Sequence, residues 1–430
     1  MEKYLKQTLK IVNEESILFC FTEKIDICED SISSLFKSDY QTFHFQYSKN
    51  LKYIGINKCL EYNLKSKTEL LDLKKINFNA HKFGLNKNED LKFFGGIAFN
   101  MNKNSSYPWE SIPVGRFILP EILITYKEQE YFISFYKMIN KKSHLEKIIN
   151  KYKSVINDLK KNIDLKNNIQ FQKYFPNRKE YKKTFNQLID NIDKKIINKV
   201  VLSRMKIFSS INKCTIKKLP SNCTNFHIDF IKSQRFLGST PEKLIEVENK
   251  KFSTHALAGT LRKSESKMDL KKFLKNKKEI NEHQYVVKDL LNKLNKLSDN
   301  INSIDEPGIL ELEHLYHLNT PINGTLKVDT HVLDLLYDLY PTPAVLGEPS
   351  NQAINMILEN ENFDRGWYAG CVGWFNLSGD GRFDVSIRSA LQIENKLYCF
   401  AGSGLINQAI EDYEWNETQA KFQHILSLIN

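Results

Sequence analysis

The chain has 430 residues, 41% hydrophobic and 12% aromatic, enough apolar material to bury a full core and to exclude wholesale disorder. With 17 Gly and 11 Pro it is neither collagen-like nor low-complexity. Lys and Arg outnumber Asp and Glu by 62 to 51, a net charge of +11, but the cations are spread along the chain and read as a solvated basic surface, not a polyanion footprint.

At the N-terminus Glu14 and Glu15 precede the short apolar stretch 17–21, unlike a signal peptide, and no run approaches the roughly 18 apolar residues of a membrane span. Residues 1 to about 140 read as short strands and turns, among them 93–100 (FFGGIAFN) and 115–126 (GRFILPEILITY). Ile and Leu at helical intervals predict a surface helix over 141–168 and another near 181–195. The β-branched run KVVLSR (199–204) predicts a strand, and Val287, Leu290, Leu291, Leu294 and Leu297 mark a helix over about 268–298. An antiparallel meander follows: 367–375, a turn at 376–381, 383–391 and 396–402. Alternation within 383–391 puts Asp384, Ser386 and Arg388 on one polar face, the arginine placed to meet an anion. The last helix, about 412–428, buries Trp415, Phe422, Leu426 and Ile429 on one stripe and aligns Glu414, Glu417 and Lys421 on the next. This is an α/β (α+β) chain with a large antiparallel component.

The seven cysteines include no CxxC pair, which argues against a disulfide framework and a zinc ribbon and fits a reducing cytosol. Two ExxE pairs, Glu279/Glu282 and Glu414/Glu417, each put two carboxylates on one helix face. Together they suit a hard cation such as Mg²⁺; singly, each reads as a solvated pair. His314 and His317 lack companions at zinc spacing. The AGSG segment (401–404) reads equally as a source of backbone N–H groups for an anion or as a tight turn. Lys199 opens an apolar strand, where burial favours the neutral amine of a general base, although a lysine at a strand end more often snorkels to the surface.

Ten segments occur in a recognisable order: NKVVLSR (198–204), FLGSTPEKL (236–244), THALAGT (254–260), KEINEHQYVV (278–287), HLYHLNTPINGTL (314–326), PTPAVLGEP (341–349), FDRGWYAGCVGW (363–374), IRSAL (387–391), AGSG (401–404) and EWNETQAK (414–421). The chain resembles the chorismate-utilising enzymes related to anthranilate synthase component I, most closely their isochorismate-forming members. The match covers about 195–425, with a weaker echo in FFGGIAF and GRFILPEIL. The resemblance implies one large unit over 1–430, with a weakly matching portion 1–175 and a catalytic portion 176–430, built of stacked antiparallel sheets surrounded by helices. It implies chorismate as substrate, Lys199 as the base activating water and Glu242 as the acid protonating the departing C4 hydroxyl. Glu282 and Glu417 are implied as Mg²⁺ ligands supported by Glu279 and Glu414. Tyr368, Arg388 and the Gly404 backbone are implied to hold the enolpyruvyl carboxylate, with Gly259, Thr260, His317 and Lys421 elsewhere in the pocket. A dicarboxylate needs such a cation and arginine to offset two buried charges.

Within that family, Lys199 together with Ala258 in ALAGT points to water rather than ammonia as nucleophile, and Ala344, lacking a hydroxyl, points away from the salicylate-forming branch. The expectation is a cytoplasmic isomerase, monomer favoured, without nucleic-acid or membrane partners, whose product feeds menaquinone, siderophore or salicylate synthesis. The alternatives are a salicylate synthase and, from another class, a non-catalytic polyanion-binding protein. Tyr340, Thr240 and Leu261 depart from the family pattern at the expected pocket edge without removing an implied catalytic group.

Overall fold

The computed structural model describes the chain except residues 13–15, 30–31, 33–34, 37–39, 86–89, 160–167, 211, 218, 232, 263–267, 305, 312–314 and 430. Its strands form one hydrogen-bonded network, antiparallel at every described pairing except the parallel one between Ile17–Ile25 and Ala80–Gly84. The long strand Gly115–Lys127 is the branch point, pairing with Leu51–Leu64, Lys92–Ile97 and Glu130–Ile139. One arm runs through Thr42–Ser48, Thr224–Ile231, Gln234–Thr240, Ser389–Ile393 and Lys396–Ile406 to Lys199–Ser210. The other runs through Cys371–Asn376, Gly381–Val385, Lys243–Glu248 and Lys251–Arg262 to Leu315–Leu326. A single core holds side chains from both arms, including Phe226, Phe236 and Val200 from the first and Phe252, Val372 and Phe383 from the second. A separate cluster lies under the N-terminal strands and the helix Leu145–Asp158, and a third under the C-terminal helix.

The chain crosses between the arms twice in this region. Residues 241–242 join Gln234–Thr240 to Lys243–Glu248, and 386–388 join Gly381–Val385 to Ser389–Ile393. The crossings are tied together: Val385 N–H donates to Glu242 O at 2.9 Å, and Ser239 N–H donates to Arg388 O at 3.2 Å. Glu242 and Arg388 therefore meet because both sit where the backbone changes sheets.

Several elements differ from the periodicity reading. Of the expected 141–168 helix the described part is Leu145–Asp158, and beyond it Ile169–Phe175 is a strand that pairs antiparallel with Lys199–Ser210. The 181–195 helix starts earlier, at Arg178, where Asn177 and Glu180 form a capping box. The 268–298 helix is two, Met268–Phe273 and Lys277–Leu297, parted at 274–276. The expected 383–391 strand breaks at 386–388, and Arg388 takes the left-handed φ of +52°. Its side chain is aimed by that kink and not by strand alternation, and Asp384, Ser386 and Arg388 are all buried. AGSG is neither a turn nor a loop but the middle of the strand Lys396–Ile406. The C-terminal helix, Glu411–Ile429, buries Trp415, Phe422, Leu426 and Ile429 as the sequence predicts.

Candidate active site

A pocket opens at the two crossings. Its walls come from both arms: Val201, Gly402 and Gly404 on one side, Ala258, Gly259 and His317 on the other. Glu242, Tyr368 and Arg388 line it from the connecting segments, Ala344 from the 341–346 segment, and Glu417 and Lys421 from the C-terminal helix. Nine residues singled out in the sequence thus converge here: Glu242, Gly259, His317, Ala344, Tyr368, Arg388, Gly404, Glu417 and Lys421.

Lys199 is not among the lining residues. It begins the strand that contributes Val201, shares that residue's face by the two-residue period, and is fully buried instead of snorkelling. Gly347, at φ +133°, pairs closely beside this strand: a Cβ there would lie 2.2 Å from Lys199 O, so glycine is what lets the 347–348 strand form against Lys199–Val200. Lys199 acts on Glu242 electrostatically. Burial pushes the Glu242 carboxyl up to about 7 while Lys199, Lys421 and Arg388 pull it down. The pocket therefore holds a carboxyl that burial shifts toward its protonated, proton-donating form.

Glu242 is held by its own turn. Thr240 Oγ1 donates to Val385 O at 2.6 Å and accepts from Glu242 N–H at 3.2 Å. A serine hydroxyl has the same reach, so this departure leaves the geometry intact. Tyr340 is likewise buried behind the pocket, its hydroxyl donating to Ala369 O at 2.5 Å. Neither side chain lines the pocket, nor does Leu261; Thr240 and Tyr340 instead bond to Glu242 and Ala369, which do.

Arg388 supplies positive charge at the opposite crossing. Its Nη2 donates to His317 Nε2 at 3.3 Å, while Nη1 is buried and has no hydrogen-bond partner among the described residues. A buried guanidinium is a strong donor to a carboxylate, which makes Arg388 a candidate anion-binding group of this pocket. The left-handed backbones of Arg388 and its neighbour across the pocket, Ala369 at φ +55°, are the kind of strain retained at functional sites. Tyr368 stacks on Phe400 with ring centroids 5.1 Å apart, and burial pushes its hydroxyl up to about 12. Lys421 Nζ donates to Gly402 O at 2.8 Å and pairs with Glu417 Oε1 at 2.6 Å.

The ExxE pairs are less completely seen. Glu279 is buried beside the bulge at Gly259, where an added Cβ would lie 3.4 Å from Glu279 Cβ, and Glu414 is buried on the C-terminal helix. The side chains of Glu282 and Thr260, and the whole of His314, lie outside the described residues. Among the described residues no three His, Cys, Asp or Glu side chains gather as a metal centre.

An ion pair that the sequence reading missed holds the pocket walls together. Arg365 donates to both carboxylate oxygens of Glu361, at 2.8 and 2.6 Å, to Val345 O at 2.8 Å and to Val201 O at 2.7 Å. Glu361 also accepts from Ser203 N–H at 2.8 Å. An arginine inside the apolar run FDRGWYAG was the available signal. Arg365→Met strands the Glu361 carboxylate and should cost about 3–5 kcal/mol of stability in urea unfolding. A loss under about 1 kcal/mol would show that the pair is not needed there.

A family model described as "Chorismate binding enzyme" matches residues 4–430. The chain is 40% identical to a salicylate biosynthesis isochorismate synthase of Pseudomonas aeruginosa over 190 residues, which are 43% of this chain and only 40% of that protein. It is 25% identical to isochorismate synthase MenF of Bacillus subtilis over 351 residues, 78% of this chain and 74% of that one. Its fold matches that of MenF, the menaquinone-specific isochorismate synthase of Escherichia coli, with a TM-score of 0.81 at 21% identity, over 100% of this chain and 99% of the other. It also matches anthranilate synthase component I of Streptococcus pneumoniae, TM-score 0.67 at 17% identity over 90% and 92% of the two chains.

Proposed function

We propose that this chain, which belongs to the chorismate-binding enzyme family, is an isochorismate synthase. The observation that carries the reading is a pocket at the two sheet crossings that gathers Glu242 and Arg388 with residues of both arms, while Lys199, buried on the strand that contributes Val201, acts on the Glu242 charge. Chorismate is a dicarboxylate, and one carboxylate satisfies Arg388. Lys199 accepts a proton from water as its oxygen bonds to ring C2. The ring double bonds shift, the C4–O bond breaks, and Glu242 gives the departing hydroxyl its proton. One water enters and one leaves, so the reaction is an isomerisation and runs to an equilibrium mixture. The names carried by the relatives support the same reaction.

Mg²⁺ is part of the proposal. Glu282 and Glu417 would hold it with Glu279 and Glu414 in support, an all-oxygen donor set that suits a hard cation. Glu417 pairs with Lys421 in the structure, a partner it would share with or exchange for the ion. The ion would supply charge against the ring carboxylate. We place the enzyme in the cytoplasm: its seven cysteines are all free, five of them buried. No described helix is long and apolar enough to cross a membrane.

Product analysis tests the reading. Purified protein with chorismate and Mg²⁺ should form isochorismate, with no aminated product on adding ammonium and no pyruvate above background. Ala344→Thr, which puts a hydroxyl into the pocket wall, should raise pyruvate release. Stoichiometric pyruvate and salicylate from the wild type would make it a salicylate synthase. Binding of polyanions without turnover would make it a binding protein.

A further inference from the structure

The strand Lys251–Arg262 pairs in step with Leu315–Leu326 as far as Ala258 opposite Leu318, then slips so that Thr260 faces His317. Gly259 is the extra residue, at φ +81°. Such a bulge takes its peptide groups out of the ladder, and buried carbonyls released this way need other donors. Two histidines supply them. His283 Nδ1 lies 3.2 Å from Ala258 O, and His317 Nδ1 lies 3.1 Å from Gly259 O.

A carbonyl only accepts, so both imidazoles carry a proton on Nδ1. His317 Nε2 accepts from Arg388, which can only donate, and His283 Nε2 lies 2.7 Å from the Thr320 hydroxyl. Ala258 and Gly259 line the substrate pocket, and His283 stands on the helix Lys277–Leu297 beside Glu279 and Glu282. The contact is close: a Cβ on Gly259 would sit 3.3 Å from Glu279 O.

We infer that His283 is a positioning residue that sets the pocket-lining bulge and the carboxylate-bearing helix as one unit through its Nδ1–H bond to Ala258 O. The inference rests on the proposed reaction. Without that bond the bulge and the helix can shift separately, displacing one wall of the pocket relative to Glu279 and Glu282.

Three variants separate this role from packing. Asparagine places an N–H near the Nδ1 position, glutamine places its amide near the Nε2 position, and phenylalanine fills the volume with neither. The readouts are kcat and KM for chorismate, and Mg²⁺ affinity by calorimetry on the protein with chorismate bound. His283→Phe should raise KM and weaken Mg²⁺ binding at least ~10-fold, as loss of a partner behind a metal ligand does. His283→Asn should recover most of both, and His283→Gln should not. Wild-type behaviour of His283→Phe, or equal impairment in the asparagine and glutamine variants, would overturn the inference; the second comparison holds even if the phenylalanine variant does not fold. A wild type that neither turns over chorismate nor binds Mg²⁺ would remove the proposed function and this inference with it, an outcome distinct from an active wild type indifferent to residue 283.

Discussion

Glu242→Gln should lower turnover at least ~100-fold while leaving the fold intact. The amide keeps the side chain's volume but has no acidic proton to give. Burial raises the Glu242 carboxyl to about 7, so in the wild type the fraction able to donate is high below neutrality and falls as pH rises through that value. The wild-type kcat/KM should therefore decline on the alkaline side of pH 7, and the residual activity of Glu242→Gln should lack that limb. Lys199→Met, which keeps the buried stem and removes the amine, should cost a similar factor. Turnover within ~3-fold of wild type in either variant would take that residue out of the mechanism.

Chelation should silence the enzyme reversibly, with Mg²⁺ restoring full activity after EDTA is removed. Glu417→Gln should cost at least ~100-fold at ordinary Mg²⁺ concentration. It removes a charge from the oxygen donors and releases Lys421, which is otherwise paired with Glu417 at 2.6 Å. The freed ammonium would then add positive charge where a cation has to sit. Zinc should substitute poorly, since no histidine or cysteine is proposed among the ligands. Full activity in EDTA would sink the metal assignment while leaving the acid–base pair untouched. A Glu417→Gln variant with wild-type Mg²⁺ dependence would place the ion elsewhere.

What the sequence by itself determined is whatever depends on near neighbours. The β-branched run at 199–204 is a strand, the 3.6-residue period of Trp415, Phe422, Leu426 and Ile429 is a buried helix face, and Glu417 and Lys421 share the next face of that helix. Ordered motifs carried the resemblance and with it most of the pocket, because each motif is a local element presenting one or two side chains. What the tertiary structure decided is where those elements meet and what burial does to them. A strand-end lysine ordinarily reaches water; Lys199 is fully buried once the fold is assembled. Arg388 looked like one residue of an alternating face, yet it reaches the pocket through a break and a left-handed kink where the chain changes sheets. Arg365 pairs with Glu361 four residues back, but what it ties together, Val201 and Val345, lies 164 and 20 residues away, and the His283 partner Ala258 lies 25 away, so these bridging roles were not legible in the sequence. Periodicity reports the environment of a residue relative to its neighbours, whereas the charge state of Glu242 is set by desolvation and by Lys199, Lys421 and Arg388, which only folding brings close.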